Sequence, residues 1–445
     1  MPQTLWRHCP GHHFGNQFPS REGEDMQSNS KHRRQVLAVA VLAGLGISMS
    51  ARALPTVGSV FIIAMENHNW TQPSTDLSAP QQIFGNANAP YINSLVTPGN
   101  PNAAQVSFAS AYHNVLATPT GANPSIHPSE PNYIWSEAGT NFGVLNDNQP
   151  YGTNGTVQFT NQHLTGYMQL AGQSWKSYQE DTQVDSAGNV LPQSQWTSPI
   201  WNASGTFTTV ANAYNGSKQY NYAVKHNPQA FFTDTNGAGN TNTSPANPSN
   251  LPAGNYAPLQ QLQADLNSNA VGKYNWISPN QFNDQHTALT GGYKPSFSAT
   301  TLTGDSAQIA QGDDFLKQII PQIMASQAYQ NNGTIIVWND ETEGANANDF
   351  SHTSMEIVIS KLAKGNAYNS TLNYTHSSQL KTMQEIFNVG PFLGDAATPG
   401  TNDLSDLFAT GAIPSAVTTN FVPEPTTLSL LGLGAFGLLA RRRKA

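Results

Sequence analysis

Two unbroken apolar runs, set far apart in the chain, give the first orientation: Val57 to Met65 (VGSVFIIAM) and Thr334 to Trp338 (TIIVW). Both are rich in β-branched residues and neither alternates with polar positions, which predicts strands buried on both faces. Met355 to Ser360 predicts a third strand. Helical spacing marks Pro258 to Leu266, and also Asp313 to Tyr329, where Pro321 imposes a kink or a later start. Ser378 to Phe387 is a further helix, with Leu380, Met383 and Phe387 on one face and Ser377 placed to cap it. Another helix is expected from Pro131 through Tyr133, Ile134 and Trp135 to Gly139, with Ser129 at or just before its start. Strands alternating with helices predict the α/β class.

The tracts 141–160, 185–215 and 233–251 are rich in Asn, Gly, Ser, Thr and Pro and lack periodicity. They predict long loops over the carboxyl edge of the sheet or small insertions, with part of Asn236 to Asn250 mobile. No internal repeat or linker divides 54–421, so one large domain is expected there.

Composition narrows the function. The chain has 445 residues, a net charge of -8, 10% charged and 38% hydrophobic residues. That allows a large core and leaves no polycationic surface, so nucleic acid is not an expected partner. Lys31, Arg33 and Arg34, the apolar run Val36 to Ile47 and the small-x-small site Ala51-Arg52-Ala53 read as an export signal over 26–53. Met26 suits the start of such a signal better than Met1, so residues 1–25 read as an upstream extension or a misassigned start. The single cysteine, Cys9, lies ahead of this signal. The mature chain therefore has no thiol for disulfides, thiolate metal sites or nucleophilic attack.

At the other end come Val422-Pro423-Glu424-Pro425, an apolar run of 13 residues from Leu428 to Ala440, and Arg441-Arg442-Arg443-Lys444. The run is shorter than the roughly 20 residues an unaided membrane span needs. Residues 422–445 resemble the bacterial PEP-CTERM sorting signal. That resemblance implies an exported protein of the cell envelope or surface, sorting and processing machinery as a partner, and transient membrane contact through this segment.

Glu66-Asn67 and Asp340-Glu341 follow the two buried runs, at the strand ends where open α/β sheets build their sites. Together with His127 to Asn132, His226-Asn227-Pro228, Asn280 to His286 and Asn373 to His376, they supply hard oxygen donors and imidazoles without sulfur. Such a set suits a divalent cation. A hydroxyl beside a cation at a helix N-terminus points to attack on phosphorus. Taken alone, Ser129 is better read as a helix cap.

The order of motifs reverses that reading. MENHNW (65–70), HPSEPNY (127–133), SWKSYQED (174–181), KHNPQAFF (225–232), SPNQFNDQH (278–286), IIVWNDETEG (335–344) and THSSQLKTMQEIF (375–387) resemble, in register, the phosphoesterase family of bacterial and fungal acid phosphatases and phospholipases C. This family is a branch of the alkaline-phosphatase-like superfamily. The resemblance implies a central, mostly parallel sheet flanked by helices, with long loops over the active-site edge. It implies Glu66, Asn67, Ser129, Asp340 and Glu341 as ligands of one divalent metal ion, Ser129 as a transiently phosphorylated nucleophile, and Asn132 as a donor to a phosphoryl oxygen. His226, His286 and His376 would line the phosphate pocket. Asp284, His286 and His376 offer another metal set, but their Asp-x-His spacing departs from that of two-metal relatives, so a single ion is expected. HPSEPNY leans toward a phosphomonoesterase. A phospholipase C-like phosphodiesterase and a non-catalytic envelope or exopolysaccharide-binding protein are the alternatives.

Overall fold

The first apolar run forms the strand β1 (Val60–Met65), near the middle of a sheet of eight strands. In chain order the other strands are β2 (Val106–Ala109), β3 (Tyr112–His113), β4 (Trp175–Gln179), β5 (Tyr256–Pro258), β6 (Tyr274–Ser278), β7 (Thr334–Asn339), β8 (Glu356–Ser360), β9 (Tyr368–Ser370) and β10 (Tyr374–Thr375). The large sheet runs β5-β4-β6-β1-β7-β8-β2-β9, while β10 and β3 pair separately. Only β8 opposes the rest of the large sheet, being antiparallel to both β7 and β2. The computed structural model describes residues 55–77, 80–114, 127–196, 211–218, 221–236, 255–344 and 350–418. The expected export signal, the tract 237–250 and the expected sorting segment lie outside them.

The helices are α1 (Pro90–Leu95), α2 (Ser129–Ala138), α3 (Leu164–Leu170), α4 (Leu262–Ser268), α5 (Gly304–Ala325), α6 (Gln327–Gln330) and α7 (His376–Phe387). Alternation along β1 explains the layers. Phe61, Ile63 and Met65 join the core that packs on α1, α4 and α5, whereas Val60, Ile62 and Ala64 join the one that packs on α2, α3 and α7. With both faces covered, every β1 residue is buried and the run reads as continuously apolar.

Several boundaries differ from those the sequence predicts. Residues 256–258 are strand, and α4 starts only at Leu262 after a short 3-10 turn. The helix expected from Asp313 begins at Gly304 and passes through Pro321. Its Asp313 carboxylate accepts from the Tyr91 and Ile92 amides at 3.0 and 2.7 Å, satisfying donors that α1 leaves unpaired. The cap of α7 is Thr375 rather than Ser377, in a reciprocal capping box with Ser378.

The helix α2 is placed as the Pro131 pattern predicts. It starts at Ser129 and stops at Gly139, whose φ of 66° lies in the left-handed region. A Cβ at that position would meet the Leu393 carbonyl oxygen at 2.5 Å, so only glycine fits.

Candidate active site

The strand order gathers the carboxyl ends of β4, β6, β1 and β7 along one edge. Glu66 and Asn67 follow β1, Asp284 lies on the loop after β6, and Asp340 and Glu341 follow β7. The Asn67 amide donates to Asp340 Oδ1 at 3.3 Å, and the Glu66 amide donates to the Asp284 carbonyl at 2.8 Å. Asn67 takes a φ of 46°, turning the chain sharply behind Glu66.

Ser129 enters from α2. Its hydroxyl donates to Glu66 Oε2 at 3.2 Å, and the serine is 1% exposed. One turn along, the Tyr133 hydroxyl donates to Glu66 Oε1 and fixes the other carboxylate oxygen. Asn132 Nδ2 donates to Glu341 Oε2 at 3.2 Å, and His127 Nδ1 lies 2.9 Å from the same oxygen. The predicted residues Glu66, Asn67, Ser129, Asn132, Asp340 and Glu341 are thus brought together.

His226 stands between two carboxylates, with Nε2 3.2 Å from Glu66 Oε1 and Nδ1 3.3 Å from Asp284 Oδ2. Its ring stacks on Tyr133. Burial, reinforced by Lys225 and His286, holds its pKa well below the usual value, so the ring is neutral and the contacts are not charge pairs. His286 is pushed down to about 4, by burial first and then by Lys225. Its Nε2 accepts from the Lys225 ammonium at 3.5 Å, which leaves Nδ1 to donate to Thr287 Oγ1 at 2.8 Å.

His376 departs from expectation. It is fully buried behind Asp340, donating from Nε2 to the Asp340 carbonyl and accepting at Nδ1 from the Trp338 indole at 3.0 Å. With both nitrogens engaged by the protein, it supports the Asp340 backbone and does not line the pocket. It also takes no part in a second metal set with Asp284. Glu343 is half-buried beside Glu341 and His127, and burial followed by Asp340 pushes it up to about 7.

Lys225 carries no sequence expectation. Its ammonium donates to Ser129 Oγ at 3.4 Å and to Asp147 Oδ2 at 3.1 Å. Burial opposes its charge, but Glu66, Asp147 and Asp340 outweigh that and raise its pKa, so it stays ionised. Tyr133 and Asp147 carry no site expectation either, and Asp284, weighed in sequence only as part of a second metal set, lies instead beside Glu66 and His226. For Lys225 and Tyr133 the available signal was adjacency to a motif residue already singled out.

Burial and mutual repulsion raise the pKa of Glu66, Asp284 and Glu341, and burial raises that of Asp340. Among the described residues, Asn67 Oδ1, Asp284 Oδ2, Asp340 Oδ2 and His226 Nε2 are buried without a hydrogen-bond partner. Carboxylates this concentrated, beside such buried polar atoms, fit a divalent cation. Glu66, His226 and His286 also bring ligand atoms within 4.8 Å of one another, as do His127, Glu341 and Glu343.

The chain is similar to phosphatidylinositol-3-phosphatase of Mycobacterium tuberculosis, at 25% identity over 359 residues that cover 80% of this chain and 86% of that protein. Solved structures that resemble it include an alkaline phosphatase superfamily protein from Vibrio parahaemolyticus, at 9% identity and a TM-score of 0.41, covering 77% of this chain and 70% of that one. Another is a lipoteichoic acid synthase from Listeria monocytogenes, at 10% identity and a TM-score of 0.35, covering 80% and 76% respectively. The PEP-CTERM protein-sorting motif matches residues 421–444, marking the chain for export to the cell envelope or surface. The phosphoesterase family model matches residues 122–390: the chain belongs to that family and is a hydrolase of phosphoric ester bonds.

Proposed function

We propose that residues 54–421 form the catalytic domain of an exported, metal-dependent phosphomonoesterase that works through a phosphoserine at Ser129. The observation that carries this reading is the placement of the Ser129 hydroxyl, 3.2 Å from Glu66 and 3.4 Å from the Lys225 ammonium at the first turn of α2. A carboxylate there accepts the hydroxyl proton, while the ammonium and the helix N-terminus favour the phosphoryl charge.

In the first step Ser129 Oγ bonds to phosphorus as the ester oxygen leaves and takes up a proton. In the second, water attacks the same phosphorus and the Oγ–P bond breaks. Lys225 faces the position where charge collects on the phosphoryl oxygens, and Asn132 stands one helical turn from Ser129 as a further donor. The neutral rings of His226 and His286 suit the exchange of protons with the leaving group and with water. Glu66, Asn67, Ser129, Asp340 and Glu341 would hold the divalent cation, which when bound draws charge from the phosphoryl group and acidifies the serine hydroxyl.

The phosphatidylinositol-3-phosphatase named above acts, by its name, on a phosphate monoester, which supports the monoester reading over a phospholipase C-like diesterase. Ser129→Ala is expected to abolish p-nitrophenyl phosphate hydrolysis with the circular dichroism spectrum unchanged. Turnover equal to wild type would sink the nucleophile assignment. Faster hydrolysis of phosphatidylcholine than of the monoester would instead favour the diesterase.

A further inference from the structure

The segment Pro279 to His286 does two things. Asp284 and His286 meet His226 and Lys225, while Asn280 and Asn283 line a separate cavity of about 550 Å³. This volume lies within the range of small-molecule sites. No Lys, Arg or His occurs among the described residues that line the cavity, so its chemistry differs from that of the hydrolytic site.

One wall is a face of α5, on which Gln311, Phe315, Gln318 and Gln322 recur at helical spacing. Across from it Gln260 and Gln263 add further amides, and Tyr214 and Tyr293 add two rings whose centroids are 4.8 Å apart. Glu180 and Asp181, at the carboxyl end of β4, complete the lining. Their oxygens are already held. Glu180 accepts from the Asn280 amide at 2.8 Å and from Asn283 Nδ2 at 2.9 Å, and Asp181 accepts from Asn280 Nδ2 at 2.9 Å and Gln260 Nε2 at 3.0 Å. A metal ion would have to displace these amides, and a phosphate would face two carboxylates with no cation to receive it.

We infer that this cavity is a binding site for a neutral polyhydroxylated ligand, a saccharide or a cyclitol, distinct from the hydrolytic site. Side-chain amides offer donors and acceptors in pairs, as adjacent sugar hydroxyls require, and aromatic rings accept the C–H face of a pyranose or cyclitol. The network among Glu180, Asp181, Asn280 and Asn283 fixes the amides before the ligand arrives. Burial first, and then Asp181, push Glu180 up to about 8, so one carboxyl of the pair keeps its proton at neutral pH and serves a neutral ligand.

The test uses the full secreted chain with glucose, maltose, cellobiose and myo-inositol, followed by saturation-transfer NMR and calorimetry. Saturable binding of at least one of them is expected, retained in Ser129→Ala. It should weaken by roughly tenfold or more in the double variant Gln318→Ala, Gln322→Ala, and in Tyr214→Ala, from the loss of direct hydrogen bonds and ring contact. The double variant should keep wild-type p-nitrophenyl phosphate hydrolysis and melting temperature. Absence of saturable binding to all four compounds would overturn the assignment. So would undiminished binding by both variants, or loss of binding in Ser129→Ala, which would place the sugar in the hydrolytic site.

Discussion

At the residue level, the most informative side chain is one the sequence did not single out. Lys225 lies on a single 3-10 turn, Val224–His226, without any periodicity to mark it. Its meaning comes from Ser129, Asp147 and His286, which are distant in sequence and close only once folded. In the proposed phosphoserine mechanism it would stabilise, as a fixed charge beside Ser129, the charge that grows on the phosphoryl oxygens. Lys225→Met is therefore expected to lower kcat by roughly 10²–10³-fold, the usual effect of removing one preorganised electrostatic donor. Steady-state kinetics on p-nitrophenyl phosphate measures it, and a kcat within about threefold of wild type would remove Lys225 from the mechanism. Glu66 and Asp340 were legible as candidates because each follows a buried strand, whereas the helix start alone reads Ser129 as a cap and only the order of motifs makes it a candidate nucleophile. The supporting place of His376 was not legible, because nothing in the sequence shows that both of its nitrogens are satisfied by Trp338 and the Asp340 carbonyl.

At the level of elements, legibility followed the apolar pattern. The strands β1 and β7 stand out because their buried residues form long apolar runs, whereas β6, buried along its whole length, carries Asn275, and β4 carries Lys176 and Ser177. Asn275 is tolerated there because its amide donates to the Val60 and Gly272 carbonyls and its oxygen accepts from the Gly272 amide, so a polar residue is fully satisfied inside the sheet. The end of α2 holds another buried polar device. His163 lies between Glu137 on that helix, at 3.1 Å, and Asp234, at 2.8 Å, and stacks on Phe232. Burial works against its charge, but the bonds to Asp234 and Glu137 outweigh it and push the pKa up to about 8. A histidine pKa raised on folding stabilises the protein fully below its unfolded value of about 6.5 and loses that effect as pH rises through about 8. About 2 kcal/mol of stability should therefore disappear between these limits. Urea titrations at several pH values measure it, and His163→Gln should be less stable at pH 6 and flatter across the window. An identical slope in the variant would show that another group controls it.

At the level of the whole molecule, the parallel order β4-β6-β1-β7 draws Glu66, Asp284, Asp340 and Glu341 to one buried edge, with Ser129 and Lys225 arriving from separate segments. This arrangement costs stability whenever the carboxylates are ionised with Lys225 as the offsetting cation among the described residues, as their raised pKa values record. A ligand that binds the folded chain alone adds stability in proportion to the logarithm of its excess over Kd, about 2.7 kcal/mol at a hundredfold excess. For a chain of this size that corresponds to a rise in melting temperature of about 3 °C. Protein stripped with EDTA and melted in calcium, magnesium, manganese or zinc should show such a rise for at least one ion. Asp340→Asn should lose it, because the variant removes a charged donor from the centre of the cluster while the neighbouring Asn67 amide keeps an oxygen acceptor. If no ion moves the melting temperature of the stripped wild type, the edge is stabilised by protonation of its carboxyls alone, and the cation has no place in the fold or at Ser129.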